Sequence, residues 1–539
     1  MKKQINDMPW EKNKNGFIPG NEHNRIVMRD LLNETGPGMC LAKWTQVTMH
    51  LGVGLTHSCH HPVAHKIDLE ELKDNPGALH NTEVKKKARK QMLNGERPSE
   101  CDFCWRIEDN TGEISDRALK SLDQYSIHDH DDIIQLNGDE NIFPRYVEVS
   151  FSHACNFKCA YCGPAFSSKW AEEIKQQGPY KLSHGTDFNH VTDVPLKASD
   201  ENPYTEAFWK WFPEAKKYMH TLRITGGEPL MSKHTFKVME HLLEHPEPEL
   251  ELAINSNGCP PAKLWLKFTD LVNQLISSKS IKKFTLFTSA ENSNIAAEYT
   301  RTGMDWELFK SNIDYFMENT YNTRLTFMAA FNILSITTFK DFLEYVLFLK
   351  RRYNKNGMYK WLNESGMDTN TSLQYGLSTY RIPYMPNLID RDSKSEIGNR
   401  VGVDIPYVRA PEFLDANIAS MEMLQEYLLP AVDFMYKNLA NNEWHGLLGF
   451  ESLEALKLKR IFVDALIAVK DARNHDETTT RQDIAKQRAR FYEFIIEYDK
   501  RRGTDFTKSL PEMTSFYNVC KLEYQKLRTE IKKDDNTTT

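Results

Sequence analysis

Cys155-Asn-Phe-Lys-Cys159-Ala-Tyr161-Cys162 sets three cysteines in an x3, x2 spacing directly after an alternating apolar run, Tyr146-Val-Glu-Val-Ser-Phe151. A chain that presents three thiolates from one short loop needs that loop anchored to a rigid strand. Three thiolates reach only three corners of a cubane. A [4Fe-4S] cluster held this way leaves one iron open to a small molecule, whereas an electron-transfer cluster takes four cysteines. The same stretch contains a Cys-x2-Cys pair, which also suits a zinc knuckle closed by two further donors. Free structural thiols are the third reading.

The chain around the loop predicts an α/β fold. Over 143–390, short apolar runs alternate with helical stretches, the pattern of a parallel sheet. Strands are expected at Tyr146–Ser152, Leu222–Thr225, Leu250–Asn255, Phe284–Ser289, Arg324–Phe331 and Ser372–Thr379. Helices are expected between them, at Ser167–Gln177, Ser232–His245, Pro261–Ser277, Asp305–Glu318 and Thr338–Arg351. Joined by right-handed crossovers, these strands make a partial, TIM-like barrel of (β/α)6 type. The chemistry-capable residues then fall on one rim. Cys155 to Cys162 follow the first strand, Gly226-Gly227-Glu228 the second, Asn255-Ser256-Asn257 the third, Ser289 the fourth and Asn332 the fifth. The C-terminal edge of a parallel sheet is where α/β folds build their sites.

Downstream of the cysteines comes Arg223-Ile-Thr-Gly226-Gly227-Glu228-Pro229-Leu. The cysteine loop and this turn together resemble the radical SAM superfamily. The resemblance implies that Cys155, Cys159 and Cys162 bind a [4Fe-4S] cluster with an open iron, and that this iron chelates S-adenosylmethionine. It implies that Tyr161 is the aromatic residue usual before the last cysteine, and that Gly226, Gly227, Glu228 and Pro229 form the turn that holds the cofactor's amino group. Asn255, Ser256 or Asn257 would approach the ribose. Ser289 and Arg301 match a serine and an arginine of peptide-modifying members that contact ribose and carboxylate. A bidentate guanidinium suits a carboxylate, while the plainer reading of Arg301 is a helix-surface charge. An electron donor such as flavodoxin or ferredoxin is implied as partner.

Four more cysteines, Cys40, Cys59, Cys101 and Cys104, lie before the expected barrel, in 1–142. With Gly54 before Cys59 and the pair Cys101-Asp-Phe-Cys104, the pattern resembles the SPASM/twitch extension of radical SAM enzymes, although that extension usually follows the barrel. It implies an auxiliary [4Fe-4S] cluster; a structural zinc site is the competing reading, and His57, His60, His61 and His65 crowd around Cys59 as further candidate ligands. Cys259, after the third-strand turn, could contact substrate, and Cys520 reads as a small core residue. Over 391–539 the strands give way to amphipathic helices, at Glu412–Leu439, Ser452–Arg473, Arg481–Arg502 and Pro511–Lys532, and a polar tail. Packing, docking and a lid are all compatible with them.

At 539 residues, two or three structural units are expected. A net charge of −7 gives no general attraction to nucleic acid, and the basic run Lys85 to Lys90 reads as a solvated helix face. No signal sequence or membrane-spanning run is visible, and nine cysteines suit a reducing cytoplasm rather than a disulfide framework. The expected function is reductive cleavage of S-adenosylmethionine and hydrogen abstraction from a substrate. The first reading of the substrate is a peptide or protein side chain, oxidised or cross-linked; the second is a small molecule, a sugar or nucleotide, in a dehydrogenase or cyclase. A metal-bound scaffold without turnover and an RNA-modifying enzyme are further alternatives.

Overall fold

The computed structural model describes residues 4–13, 16–17, 21–123, 125–183, 185–189, 201–353, 373–374, 381–382, 399–440, 449–474 and 479–537. Its principal strands are β1 (Gln46–His50), β2 (Leu55–His57), β3 (His65–Lys66), β4 (Tyr146–Ser150), β5 (Lys158–Cys159), β6 (Thr221–Thr225), β7 (Glu247–Ser256), β8 (Ile281–Thr288), β9 (Arg301–Thr302), β10 (Thr323–Met328) and β11 (Val401–Asp404). The architecture is mixed α/β, with extensive parallel pairing and many helices. Two compact units divide it. One comprises Met1–His153, Val194–Ile254 and Lys279–Lys282; the other comprises Ala154–Asp193, Asn255–Ser278 and Lys283–Thr539.

In the first unit the strand order is β7-β6-β4-β1-β2-β3. β1, β4, β6 and β7 run parallel, with Val47 beside Val147, Val147 beside Leu222 and Leu222 beside Leu252. These four side chains are buried, as a sheet covered on its faces requires. β2 and β3 continue the sheet antiparallel through a hairpin. Gly54 makes that hairpin possible: its φ is +67°, and a Cβ there would lie 2.2 Å from the ring of Tyr204. β1 lies in the stretch where the sequence shows cysteines rather than strand alternation, yet it pairs in register with the expected first strand.

Lys85 and Arg89 depart from the expected solvated face. One turn apart on the helix Glu83–Leu93, both are buried. Lys85 Nζ donates to Thr56 Oγ1 at 3.1 Å and to the His57 carbonyl at 3.3 Å, and Arg89 reaches Asn81 Oδ1 at 2.9 Å. The run is amphipathic within its own charge, so composition alone misassigns its inner face.

In the second unit β11, β10 and β8 run parallel. Burial alternates along β8, where Ile281, Phe284, Leu286 and Thr288 face inward. The helix Ala262–Ser277 buries Trp265, Phe268, Val272 and Leu275, and Phe268 and Phe316 bracket Phe284 at ring distances of 5.7 and 6.2 Å. The strand expected at Ser372–Thr379 is corrected: β11, Val401–Asp404, is the parallel neighbour of β10. Of the expected range, Leu373–Gln374 pairs antiparallel with Arg381–Ile382, and the rest lies outside the described residues. The carboxy-terminal helices occur as expected at Ser452–Asn474, Thr479–Arg502 and Thr514–Thr537. The helix expected from Glu412 is broken instead into short turns and a π segment, Leu424–Leu428, ahead of Pro430, which lacks an amide donor. Among the described residues, no helix is long and apolar enough to cross a membrane.

Candidate active site

The cysteine loop is built within the second unit by short-range capping and one long-range ladder. The Cys155 amide donates to Ser168 Oγ at 3.1 Å, and Ser167 Oγ donates to the Phe157 carbonyl at 2.6 Å, so the helix Ser168–Gln177 starts on the loop itself. The Phe157 amide points at Cys155 Sγ, 3.4 Å away. β5 then pairs with β9, and this two-residue ladder sets Cys159 opposite Arg301. The Trp170 indole donates to the Cys159 carbonyl at 2.8 Å.

Behind the sulfurs sits a buried charged group. Arg301 Nη2 lies 2.5 Å from Glu291 Oε2, with Nε 3.1 Å from both carboxylate oxygens. The Tyr161 hydroxyl donates to the same carboxylate at 3.1 Å. Arg301 Nη1 points at Cys159 Sγ, 3.7 Å away. Burial pushes the Glu291 carboxyl up, and the guanidinium opposes that shift. Burial also pushes the Cys162 thiol up to about 12, with Cys159 and Cys155 adding to it, and raises Cys159 against the pull of Arg301. These thiols are therefore protonated at neutral pH, and a metal must displace their protons to bind.

The third-strand turn packs on the loop within the same unit. Asn257 Nδ2 donates to Asn156 Oδ1 at 2.8 Å, and Asn156 Nδ2 donates to the Cys259 carbonyl at 2.8 Å. Ser256 Oγ accepts from the Gly258 amide at 3.1 Å. Asn255 lies one residue earlier, near the end of β7. Cys259 is buried with its thiol toward the Asp305 carbonyl, so the structure gives it a packing role. Ser289 is half-buried just past β8. Asn332 is fully buried, and its amide bonds its own turn, at the Leu334 amide and the Ala330 carbonyl.

In the first unit the Gly226-Gly227-Glu228-Pro229 turn closes on the end of β4. The Gly227 amide donates to the Ser152 carbonyl at 3.1 Å. Gly226 has φ +130°, and a Cβ there would meet that carbonyl at 2.7 Å and Ser150 Oγ at 2.8 Å, so only glycine fits. Glu228 is buried and caps the short helix Pro229–Met231 by accepting from the Leu230 amide at 3.1 Å.

The four amino-terminal cysteines converge. Cys40, Cys59, Cys101 and Cys104 line one enclosed pocket of the first unit with His61, Pro62, Trp105, Asp116, Arg117 and Lys120. Burial pushes Cys40 up to about 12, reinforced by the other three sulfurs. The buried Lys43 ammonium, paired with Glu100, raises no barrier to thiolates there: its charge opposes the upward shift of Cys101. Of the neighbouring histidines, His65 bonds Thr82 Oγ1 at 2.9 Å and His57 bonds the Cys59 carbonyl. His60 and His61 gather with Asp116, and His61 stacks on Phe103 at 3.9 Å.

Sequence reasoning missed Glu291 and the carboxy-terminal clasp on the loop. Arg502 Nη1 donates to the Lys158 carbonyl at 2.6 Å and to Thr302 Oγ1 at 2.9 Å, bridging both strands of the β5–β9 ladder. Its Nε lies 3.3 Å from Glu173 Oε2, and its guanidinium covers the Trp170 and Tyr498 rings. The Tyr498 hydroxyl donates to the Tyr299 carbonyl at 2.6 Å. The only local signal was a carboxylate two positions beyond Ser289; the arginine carries none.

No protein-family model matches this chain, and no solved structure matches it. Part of it is similar to the GTP 3′,8-cyclase of Mycobacterium ulcerans, 26% identical over 113 residues, which are 21% of this chain and 25% of that protein. The GTP 3′,8-cyclase of Nautilia profundicola is 28% identical over 115 residues, 21% of this chain and 27% of that protein. The chain thus spans about a quarter of the length of the curated relatives it matches.

Two outcomes follow from this geometry. Arg502→Ala should cost about 1.5–3 kcal/mol by removing the charged donor shared by the Lys158 carbonyl, Thr302 Oγ1 and Glu173, with Lys158 left as the remaining cation on Glu173, read as a lower unfolding midpoint. Because the raised thiols must be deprotonated to bind iron, the iron-binding constant should rise with pH above neutrality, by about tenfold per pH unit for each proton released; iron uptake measured across that range, against a chelator, checks the sign.

Proposed function

We propose that this chain is a radical SAM enzyme. It would hold a [4Fe-4S] cluster on Cys155, Cys159 and Cys162 and bind S-adenosylmethionine at the iron left open. The observation that carries the reading is the loop itself: three cysteines on a braced turn, backed by a buried guanidinium. The donor set fits the cluster, since Cys155 and Cys159 lie near enough to Cys162 to raise its thiol, with an amide directed at the Cys155 sulfur and a cationic N–H at the Cys159 sulfur. Held there by Cys155, Cys159 and Cys162, the cluster would supply the one-electron reduction of S-adenosylmethionine from which hydrogen abstraction on the substrate starts.

The chain's own residues bind, orient and exclude water. Gly226 and Gly227 would allow a close backbone approach to the cofactor's amino group, with Glu228 and Pro229 shaping that turn. Asn255, Ser256 and Asn257 would lie toward the ribose, with Ser289 and Asn332 further along the same rim of a partial barrel. A dry wall around the reacting carbon is what keeps such a radical from side reactions. For Cys40, Cys59, Cys101 and Cys104 we propose an auxiliary [4Fe-4S] cluster in the segment 1–142, with 143–390 as the radical SAM core and 391–539 as a helical region. A structural zinc ion is the alternative for that pocket.

A peptide or protein side chain as substrate rests on Ser289 and Arg301, and the Arg301 guanidinium is engaged by Glu291 and Cys159. The names of the two relatives favour a small molecule, of nucleotide type, and a cyclisation. A flavodoxin or ferredoxin would be the electron donor.

Anaerobic reconstitution with iron and sulfide, followed by dithionite and S-adenosylmethionine, should yield 5′-deoxyadenosine with about eight irons per chain. Cys155→Ala, Cys159→Ala or Cys162→Ala should abolish it. About four irons with one zinc would make the amino-terminal pocket structural, and a fully loaded protein that forms no deoxyadenosine would move the scaffold reading to the front.

A further inference from the structure

The sequence offers Arg301 as a partner for a cofactor carboxylate. Its surroundings assign it a different task. It is 4% exposed, and two of its three nitrogens are taken by Glu291, which is fully buried. The third, Nη1, is directed at Cys159 Sγ. The backbone repeats the arrangement, because the β5–β9 ladder pairs Arg301 with Cys159 residue for residue. Tyr161 completes the group, donating to both oxygens of Glu291 while its ring lies 5.5 Å from the guanidinium carbon.

We propose, resting on the radical SAM reading above, that Arg301 sets how readily the cluster on this loop accepts its electron, acting through the sulfur of Cys159, and that Glu291 is the counter-charge that holds it there. Arg301 is thus a positioning and tuning residue. One-electron reduction takes [4Fe-4S]2+ to [4Fe-4S]+, the electron coming from an external one-electron donor. The reduced form carries one more negative charge. A cation fixed beside a ligand sulfur, in surroundings too dry to screen it, stabilises that form and raises the potential. Glu291 works in the opposite direction, and the hydroxyl of Tyr161 draws part of its charge away from the sulfur.

The signs are what make the proposal specific. Arg301→Met, which keeps an unbranched apolar side chain in the space, should move the reduction potential of the loop cluster to more negative values. Glu291→Gln, nearly isosteric, should move it to more positive values, and the double variant should return toward the parent protein. A merely structural role predicts loss of iron in both single variants without opposite shifts. A carboxylate-binding role predicts weaker S-adenosylmethionine binding in Arg301→Met with an unchanged potential.

The experiment is a redox titration of the reconstituted full chain, followed by the electron paramagnetic resonance signal of the reduced cluster, with the amino-terminal cysteines intact in every variant. Should Arg301→Met not fold, Arg301→Lys with Glu291→Gln carries the test, since the sign of the Glu291→Gln shift is decisive alone. Opposite shifts support the proposal. A reduced-cluster signal that shifts in neither variant, or in the same direction in both, overturns it and leaves the radical SAM reading standing. A parent protein that gives no such signal overturns the site reading, and the proposal with it.

Discussion

Cys159 and Arg301 face each other across a ladder only two residues long, and much of the second unit is arranged to keep them there. The ladder alone is too short to persist. It is held on one side by the Trp170 indole on the Cys159 carbonyl and on the other by Arg502, which bonds one residue from each strand. Glu173 gathers Lys158, Tyr180 and Arg502 around a single buried carboxylate, whose own charge is stabilised by those partners. Buried charges are tolerated only when paired and hydrogen-bonded, and here the pairing connects the cysteine loop, the residues after β8 and the carboxy-terminal helix.

The helix Thr479–Arg502 makes several contacts with the cysteine loop and the chain that follows it. Arg501 covers the Tyr180 ring and donates to the Gly178 carbonyl, Glu493 accepts from Ser183, and Arg502 reaches the loop itself. This long helix thus presents a row of contacts that fix the loop and the chain that follows it.

Local features were legible in the sequence. The cysteine spacing, the glycine turn and the alternation of strands such as Ile281–Thr288 depend on neighbours a few positions apart, where periodicity and residue type decide the outcome. β1 was hidden because Gln46-Val-Thr-Met-His is short and sits among cysteines and histidines. The strand beside β10 lies later than periodicity places it, since β11 is only four residues long and follows a long interval in the chain. Glu291 and Arg502 are far less legible. Tyr161 lies 130 positions from Glu291 and Lys158 lies 344 from Arg502, and an isolated Glu or Arg on a helix or turn looks the same whether it is solvated or buried in an ion pair. Lys85 and Arg89 make the same point within one basic run.

A cubane held by Cys155, Cys159 and Cys162 would have one iron that no cysteine ligates. Mössbauer spectroscopy of protein reconstituted with 57Fe, before and after adding S-adenosylmethionine, tests this directly. One iron of the loop cluster should change its isomer shift when the cofactor is added, while the remaining irons keep theirs. Spectra that are identical with and without S-adenosylmethionine, or that show no cubane on this loop, would contradict it.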